Sequence, residues 1–431
     1  MERQLVRETA DPADTLIGTV MATIRRRIVS RSLTPGARLP SIRALAAAMQ
    51  VSKSTVVEAY ERLAAEGAIR SRPGSGYFVA APMAPLSLAD IGPRLDREVD
   101  PLWISRQSLD AGDTMLKPGC GWLPASWMPQ EAMRRGLRTL SRTADATLAD
   151  YGTPLGLRPL RELMVRRMGG HGIVAAPEQV MLTESGTQAI DLICRYLLDA
   201  GDTVLVDDPC YFNFHALLRA HRARVVSVPY GPDGPDIERF AAALEEHRPR
   251  LYLTNSGIHN PTGASLSPVT AHRLLKLADQ HDLVIVEDDI FADFELTPAP
   301  RLAAFDGLER VIAIGSFSKT LSASVRCGYV AAKPEWLEGL VDLKIATSFG
   351  GSHFAEALVL ALLTDGSYRK HLEALRTRLA RTLAETATRL EAIGINAFSL
   401  SQTAHGFMRF NVAQSDDARI YQVLEAALRR S

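Results

Sequence analysis

VIAIGSFSKTLSASVRCGY, residues 311–329, passes from a short apolar run with strand character into small hydroxyl residues around one lysine, Lys319. Arg326 follows seven residues later, close to Gly328. Small residues let backbone and hydroxyl groups approach an anion closely. A lysine in a mostly apolar setting can lose its proton and act as an amine nucleophile. Ser316, Ser318, Lys319 and Arg326 are the candidates for that chemistry.

Outward from this stretch, six short apolar segments recur at helix-length intervals: 179–182, 203–206, 225–228, 251–253, 283–286 and 311–314. Strands separated by helices predict an α/β sheet, largely parallel. In such sheets ligands bind outside the carboxyl ends of the strands, and polar clusters follow the strands there. Glu184-Ser185-Gly186-Thr187-Gln188 follows the first, and small residues opening a helix N-terminus make a phosphate cradle. Asp207-Asp208-Pro209-Cys210-Tyr211 follows the next and puts an aromatic ring at the sheet edge. The string HNPTG, residues 259–263, follows the segment at 251–253, and Glu287-Asp288-Asp289-Ile290-Phe291 follows the one at 283–286.

In this order the clusters resemble the fold-type I pyridoxal-phosphate (PLP) enzymes, in which a Ser-x-x-Lys segment is followed by a phosphate-binding arginine. The resemblance implies PLP held as an aldimine at Lys319, with Ser185, Gly186, Thr187, Ser316, Ser318 and Arg326 about its phosphate. It implies that Tyr211 stacks on the pyridine ring, that Asn260 bonds the phenolic oxygen, and that Asp288 keeps the ring nitrogen protonated. Tyr151, in YGTPLGLRPLREL, resembles the tyrosine that reaches a neighbouring subunit's phosphate, which implies a homodimer. Ile290 and Phe291 stand where the family usually has a tyrosine, a departure that weakens control of transamination. Near the C-terminus, Ser367 is placed to cap a long amphipathic helix to about Leu390. Residues 405–412 read as a strand and 416–428 as a helix, with the family's small C-terminal lobe shortened. Arg409 is the candidate grip for an effector's carboxylate.

The N-terminal part has a different pattern. Ile17, Val20, Met21, Ile24 and Ile28 recur at helical spacing, Pro40-Ser41 opens a second helix, and Ser52 caps a third that ends at Gly67. Two short strands then flank Pro73-Gly74-Ser75-Gly76. Three helices and a hairpin form the winged helix-turn-helix layout, and residues 35–79 resemble the GntR class of bacterial repressors. Ser52, Lys53, Ser54 and Thr55 begin the third helix, where small or cationic side chains reach base edges and phosphates. Arg38, Ser41 and Arg43 sit where the preceding helix meets the DNA backbone, and Gly74 and Gly76 let the wing approach the minor groove. The first 80 residues hold 12 Lys+Arg against 7 Asp+Glu within a chain of zero formal net charge, so an anionic polymer would be drawn to this part alone.

The expected fold class is thus α/β: an N-terminal winged helix-turn-helix at 12–80, a linker at 81–111, and a fold-type I aminotransferase-like domain with a mostly parallel central sheet at 112–431. This pairing resembles the MocR subfamily of GntR-type regulators. It implies a transcription factor that binds a double-stranded DNA operator and senses an amino acid, an amine or PLP itself. The other reading is a working PLP-dependent aminotransferase that also binds DNA. Four scattered cysteines without a CxxC pair argue against a disulfide framework and a zinc site, so no metal is expected. No apolar run suits a signal peptide or a membrane span, which predicts a cytoplasmic protein.

Overall fold

The computed structural model of the protein describes residues 15–29, 33, 36–72, 75–80, 109, 115–142, 149–395 and 410–429. The chain divides into two compact units, Met1–Arg97 and Glu98–Ser431. Apart from Leu109, the segment expected as a linker lies outside the described residues.

In the smaller unit, α1 (Leu16–Val29), α2 (Ile42–Met49) and α3 (Lys53–Ala65) precede the hairpin of β1 (Ile69–Arg72) and β2 (Gly76–Val79). The Ser41 hydroxyl caps α2 by accepting from the Ala44 N–H at 3.2 Å, and Ser52 caps α3 through the Thr55 N–H at 3.1 Å. Val20, Ile24, Val56, Ala59, Tyr60 and Leu63 meet in one core. The Tyr60 hydroxyl reaches the Pro40 carbonyl at 2.8 Å, so the turn before α2 is tied to the middle of α3.

The larger unit is built on an eight-stranded sheet. Its strands are β3 (Val180–Thr183), β4 (Thr203–Asp208), β5 (Arg224–Gly231), β6 (Gly234–Pro235), β7 (Leu251–Thr254), β8 (Val284–Asp288), β9 (Val311–Ser316) and β10 (Gly328–Ala331). Their spatial order is β3-β10-β9-β8-β7-β4-β5-β6. The six strands expected from the sequence all run one way, and β10 runs against both its neighbours.

Helices cover both faces. They are α4 (Gln130–Leu140), α5 (Arg158–Gly169), α6 (Gly186–Leu197), α7 (Phe212–Ala220), α8 (Ile237–His247), α9 (Pro268–Gln280), α10 (Leu302–Asp306), α11 (Pro334–Ser348), α12 (His353–Thr364), α13 (Ser367–Ala392) and α14 (Ala418–Leu428). Alternate strand residues point to opposite faces. Leu182, Leu205, Tyr252 and Ile285 pack under α5, α8 and α9, whereas Met181, Val204, Leu253 and Val286 pack under α6, α7 and α11. Covering both faces removes the polar alternation of a half-exposed strand, which is why these strands read as continuous apolar runs.

Two local expectations change. Ser367 is the first residue of α13 rather than its cap: Gly366 takes the cap position with φ 75°, and Asp365 accepts from the Ser367 N–H at 2.8 Å. Val412, expected to be the last residue of a strand over 405–412, instead begins a 3-10 turn, Val412–Gln414, while residues 405–409 lie outside the described residues. Among the described residues no helix is long and apolar enough to cross a membrane, and no group of His, Cys, Asp and Glu could hold a metal ion.

Candidate functional site

Because β3, β9, β8, β7 and β4 run the same way, Thr183, Ser316, Asp288, Thr254 and Asp208 all end at one edge of the sheet. Register sharpens this: Thr183, Gly328 and Ser316 occupy one row across β3, β10 and β9. A Cβ at Gly328 would stand 2.8 Å from the Gly315 carbonyl oxygen, 2.9 Å from the Ser185 carbonyl carbon and 3.0 Å from Thr183 Oγ1. Glycine at 328 therefore lets the start of α6 settle against the end of β9. A Cβ at Gly186 would lie 4.0 Å from that of Ser316. Ser185 caps α6, its hydroxyl accepting from the Gln188 N–H at 3.0 Å. The positive end of the α6 dipole and the first N–H groups of the helix thus open beside Ser316, an arrangement suited to an anion.

Beyond Ser316 the chain curls. The Ser318 N–H donates to Ser316 Oγ at 3.1 Å, and the two hydroxyl oxygens are 2.9 Å apart. Lys319 is half-buried and its Nζ donates to the Gly121 carbonyl oxygen at 2.7 Å. Asp288 is buried at the end of β8. Burial pushes its pKa up to about 6, against the Ile290 N–H, Asn255 and the Lys319 charge, which pull it down. Neighbouring Asp289 is committed elsewhere, with Arg301 Nε 2.8 Å from its Oδ1. Burial raises the Asp289 pKa to about 8, with Arg301 opposing. Two adjacent aspartates thus have different partners, and the one coupled to Lys319 is Asp288.

Tyr211 ends the loop after β4, its ring 5.0 Å from that of Phe212 and 5.4 Å from that of Phe214. Asn260 follows β7 in a loop closed by the Gly263 N–H donating to the His259 carbonyl at 2.7 Å. Ile290 and Phe291 are half-buried, so no hydroxyl comes from these two positions. Three of the expected ligands are exposed in this chain. Thr187 is exposed on the first turn of α6. Arg326 is exposed, at φ 52°, with Nη1 3.4 Å from the Ala323 carbonyl. Tyr151 is 80% exposed, its ring tilted against that of Phe349, centroid to centroid 5.1 Å. Arg409 lies outside the described residues.

In the smaller unit, Arg38, Arg43, Lys53, Ser54 and Gly76 are exposed, and Thr55 is half-exposed. Ser52 Oγ lies 2.7 Å from both Ser54 Oγ and Thr55 Oγ1, so three hydroxyls cluster at the start of α3. Arg38 bridges Phe78 of the hairpin through its backbone, and a Cβ at Gly76 would be 3.7 Å from its Nε. Arg72 lies over the Phe78 ring at 4.8 Å and adds a cation to the wing that the sequence reading did not single out. Gly74 lies outside the described residues.

Sequence reasoning also missed the partners of the central lysine loop. Gly121 is 198 residues from Lys319, and no local pattern marks it. The Tyr368 hydroxyl lies 2.7 Å from Thr320 Oγ1 and 2.5 Å from Asp293 Oδ2, to which it donates. His371 Nε2 reaches the Thr320 carbonyl at 2.9 Å. The first turns of α13 are therefore fastened to the residue after Lys319.

The aminotransferase class I and II family matches residues 123–427, and the gntR family of bacterial regulatory proteins matches residues 16–79. The HTH-type transcriptional regulator NorG of Staphylococcus aureus (strain USA300) is 28% identical over 350 residues, covering 79% of this chain and 78% of that protein. The uncharacterized HTH-type transcriptional regulator YdcR of Escherichia coli (strain K12) is 29% identical over 364 residues, 83% of this chain and 77% of that one. Among solved structures, LysN, the alpha-aminoadipate aminotransferase of Thermus thermophilus complexed with N-(5'-phosphopyridoxyl)-L-leucine, superposes with a TM-score of 0.61. It is 28% identical and covers 68% of this chain and 74% of that chain. By the match over most of its length, the chain belongs to the aminotransferase class I and II family, here fused to a gntR-family helix-turn-helix domain.

Proposed function

We propose that the protein is a DNA-binding transcriptional regulator that holds PLP through Lys319 and alters its DNA binding when an amine or amino acid reaches that cofactor. The observation that carries the reading is the meeting of Lys319, buried Asp288 and the Ser185-capped start of α6 at one sheet edge, in a chain with a gntR-family domain.

The residues present fit PLP. A helix start held against Ser316 by the absence of a side chain at Gly328 suits a phosphate, and a buried carboxylate near a lysine suits a ring nitrogen. Bound PLP would supply an aldehyde carbon for amines and an electron-withdrawing ring. Ser185, Gly186, Thr187, Ser316, Ser318 and Arg326 would hold the phosphate, Lys319 would provide the amine of attachment, and Asp288 would face the ring nitrogen. Tyr211 would stack on the ring and Asn260 would donate to the phenolic oxygen. The strong exposure of Tyr151 and Phe349 supports a homodimer in which these aromatics are covered and Tyr151 serves the second subunit's site. An operator-binding protein of this kind works in the cytoplasm. Arg38, Arg43 and Lys53 would contact phosphates, and the hydroxyls at the start of α3 would meet base edges.

An effector acts on DNA binding only if it binds the two states of the protein differently. The test is the visible absorption spectrum of wild type and Lys319→Ala with added PLP, before and after a panel of amino acids. Anisotropy on a duplex selected from a random pool would accompany it. A band that requires Lys319, shifts with one class of amine and accompanies a change in DNA affinity is expected. No band in wild type overturns the cofactor reading. The presence of both Lys319 and Asp288 also favours a second reading, a working aminotransferase that binds DNA. Sustained keto-acid turnover would select it.

A further inference from the structure

Asp207 and His259 join the two loops that carry Tyr211 and Asn260. Asp207 is the penultimate residue of β4 and His259 directly precedes Asn260, and their side chains are 1% and 0% exposed. Asp207 Oδ2 accepts from Thr254 Oγ1 at 2.7 Å and lies 3.2 Å from His259 Nε2, while Oδ1 accepts from the Tyr252 hydroxyl. The other ring nitrogen, Nδ1, is 2.8 Å from Thr262 Oγ1, which also accepts from the Ala264 N–H. A carboxylate only accepts, so Asp207 places an imidazole proton on Nε2, while Nδ1 and the Thr262 hydroxyl share the second hydrogen bond.

The ring is further fixed by Tyr230, stacked on it at 3.8 Å between centroids and 11° between planes. The His259 N–H donates to the Ala264 carbonyl at 2.8 Å, so loop 259–264 closes around its own histidine. Packing alone would be served as well by an apolar side chain, which avoids the cost of burying a polar pair. What the pair adds is direction: two hydrogen bonds and a stacked face leave the imidazole, and the residue after it, one orientation.

We propose that His259, oriented by Asp207, is a positioning residue for the cofactor ring. It fixes where Asn260 presents its amide and, through Asp207, where the chain leaves β4 toward Tyr211. The inference rests on the PLP reading above and adds to it a residue that need not touch the cofactor.

The test compares wild type with His259→Leu, His259→Gln and Thr262→Val. Titration with PLP gives the dissociation constant, circular dichroism of the bound chromophore reports ring orientation, and thermal unfolding of the cofactor-free proteins reports folding. The leucine variant is expected to bind PLP about tenfold more weakly, the order of a lost buried hydrogen bond, and to change the visible dichroic band. Glutamine, which can still donate to Asp207, should restore most of both. Thr262→Val, the milder change, should show the same dichroic shift with a smaller loss of affinity. Wild-type affinity and dichroism in His259→Leu overturn the inference. So do losses in the leucine and glutamine variants that only follow their melting temperatures. No PLP band in wild type instead overturns the cofactor reading itself. If His259→Leu does not fold, the glutamine and Thr262→Val variants decide on the same readouts.

Discussion

The amine of Lys319 donates to the carbonyl of Gly121 at 2.7 Å, so the central lysine is held by a segment near the start of the larger unit. That segment is itself held from the far end of the chain. Asn411 Nδ2 reaches the Cys120 carbonyl at 2.6 Å and the Trp122 carbonyl at 3.0 Å, and Gln414 Nε2 reaches the latter at 3.0 Å.

Asn411→Ala should therefore loosen the ground on which Lys319 rests. Removing the amide strips two carbonyls of a donor, which costs about 1–3 kcal/mol. A lower melting temperature and faster hydrogen exchange over residues 118–123 are expected. Unchanged exchange there would show that the segment is held by other contacts.

Asp288 sets a pH dependence in the cofactor-free protein. Its native pKa of about 6 lies above the ordinary 3.8 because burial disfavours the charge. The folded state then binds the proton more tightly than the unfolded one, so stability falls as pH rises from about 4 to about 6 and stays reduced above that. At about 1.4 kcal/mol per pH unit the full effect is about 3 kcal/mol. Asp288→Asn, neutral at every pH, should melt higher than wild type at pH 7.5 and close to it at pH 4. Equal melting at both would refute the burial account.

Tyr368→Phe deletes the hydroxyl that reaches both Asp293 and Thr320. A loss of about 1–3 kcal/mol is expected because Asp293 is left with one partner fewer in a partly buried site. Denaturant unfolding measures it. Paired with Thr320→Val, the change should be less than additive if the two residues form one contact.

Two changes at the start of α3 should act on different properties. Ser52→Ala removes the cap on the Thr55 N–H and should cost about 1 kcal/mol of stability. Exposed Lys53→Ala should leave the melting temperature unchanged while weakening DNA binding and lowering its salt dependence by about one phosphate contact. Identical salt slopes for wild type and Lys53→Ala would remove this lysine from the interface.

The parallel strands were legible because each is an apolar run bounded by polar residues, and the helices of the smaller unit because Ser41 and Ser52 are strong caps. β10 was not. It follows the lysine loop with no helix-length segment before it, and it owes its place to antiparallel pairing with β9 and with β3, which lies far earlier in the chain. The cap of α13 was misjudged for a related reason: Gly366 in the left-handed region ends the preceding turn, and Asp365 takes the Ser367 N–H.

By itself the sequence determined the two-part architecture, the direction of the sheet and the loops that meet at its carboxyl edge. All of these follow from local periodicity and from residue types with strong backbone preferences. Only the tertiary structure decided that Gly121 holds the Lys319 amine, and that Asp207 and His259 brace the loops of Tyr211 and Asn260. Those relations join residues tens to hundreds of positions apart. Hydrogen-bond geometry and burial fix them, and neither leaves a periodic trace in the chain.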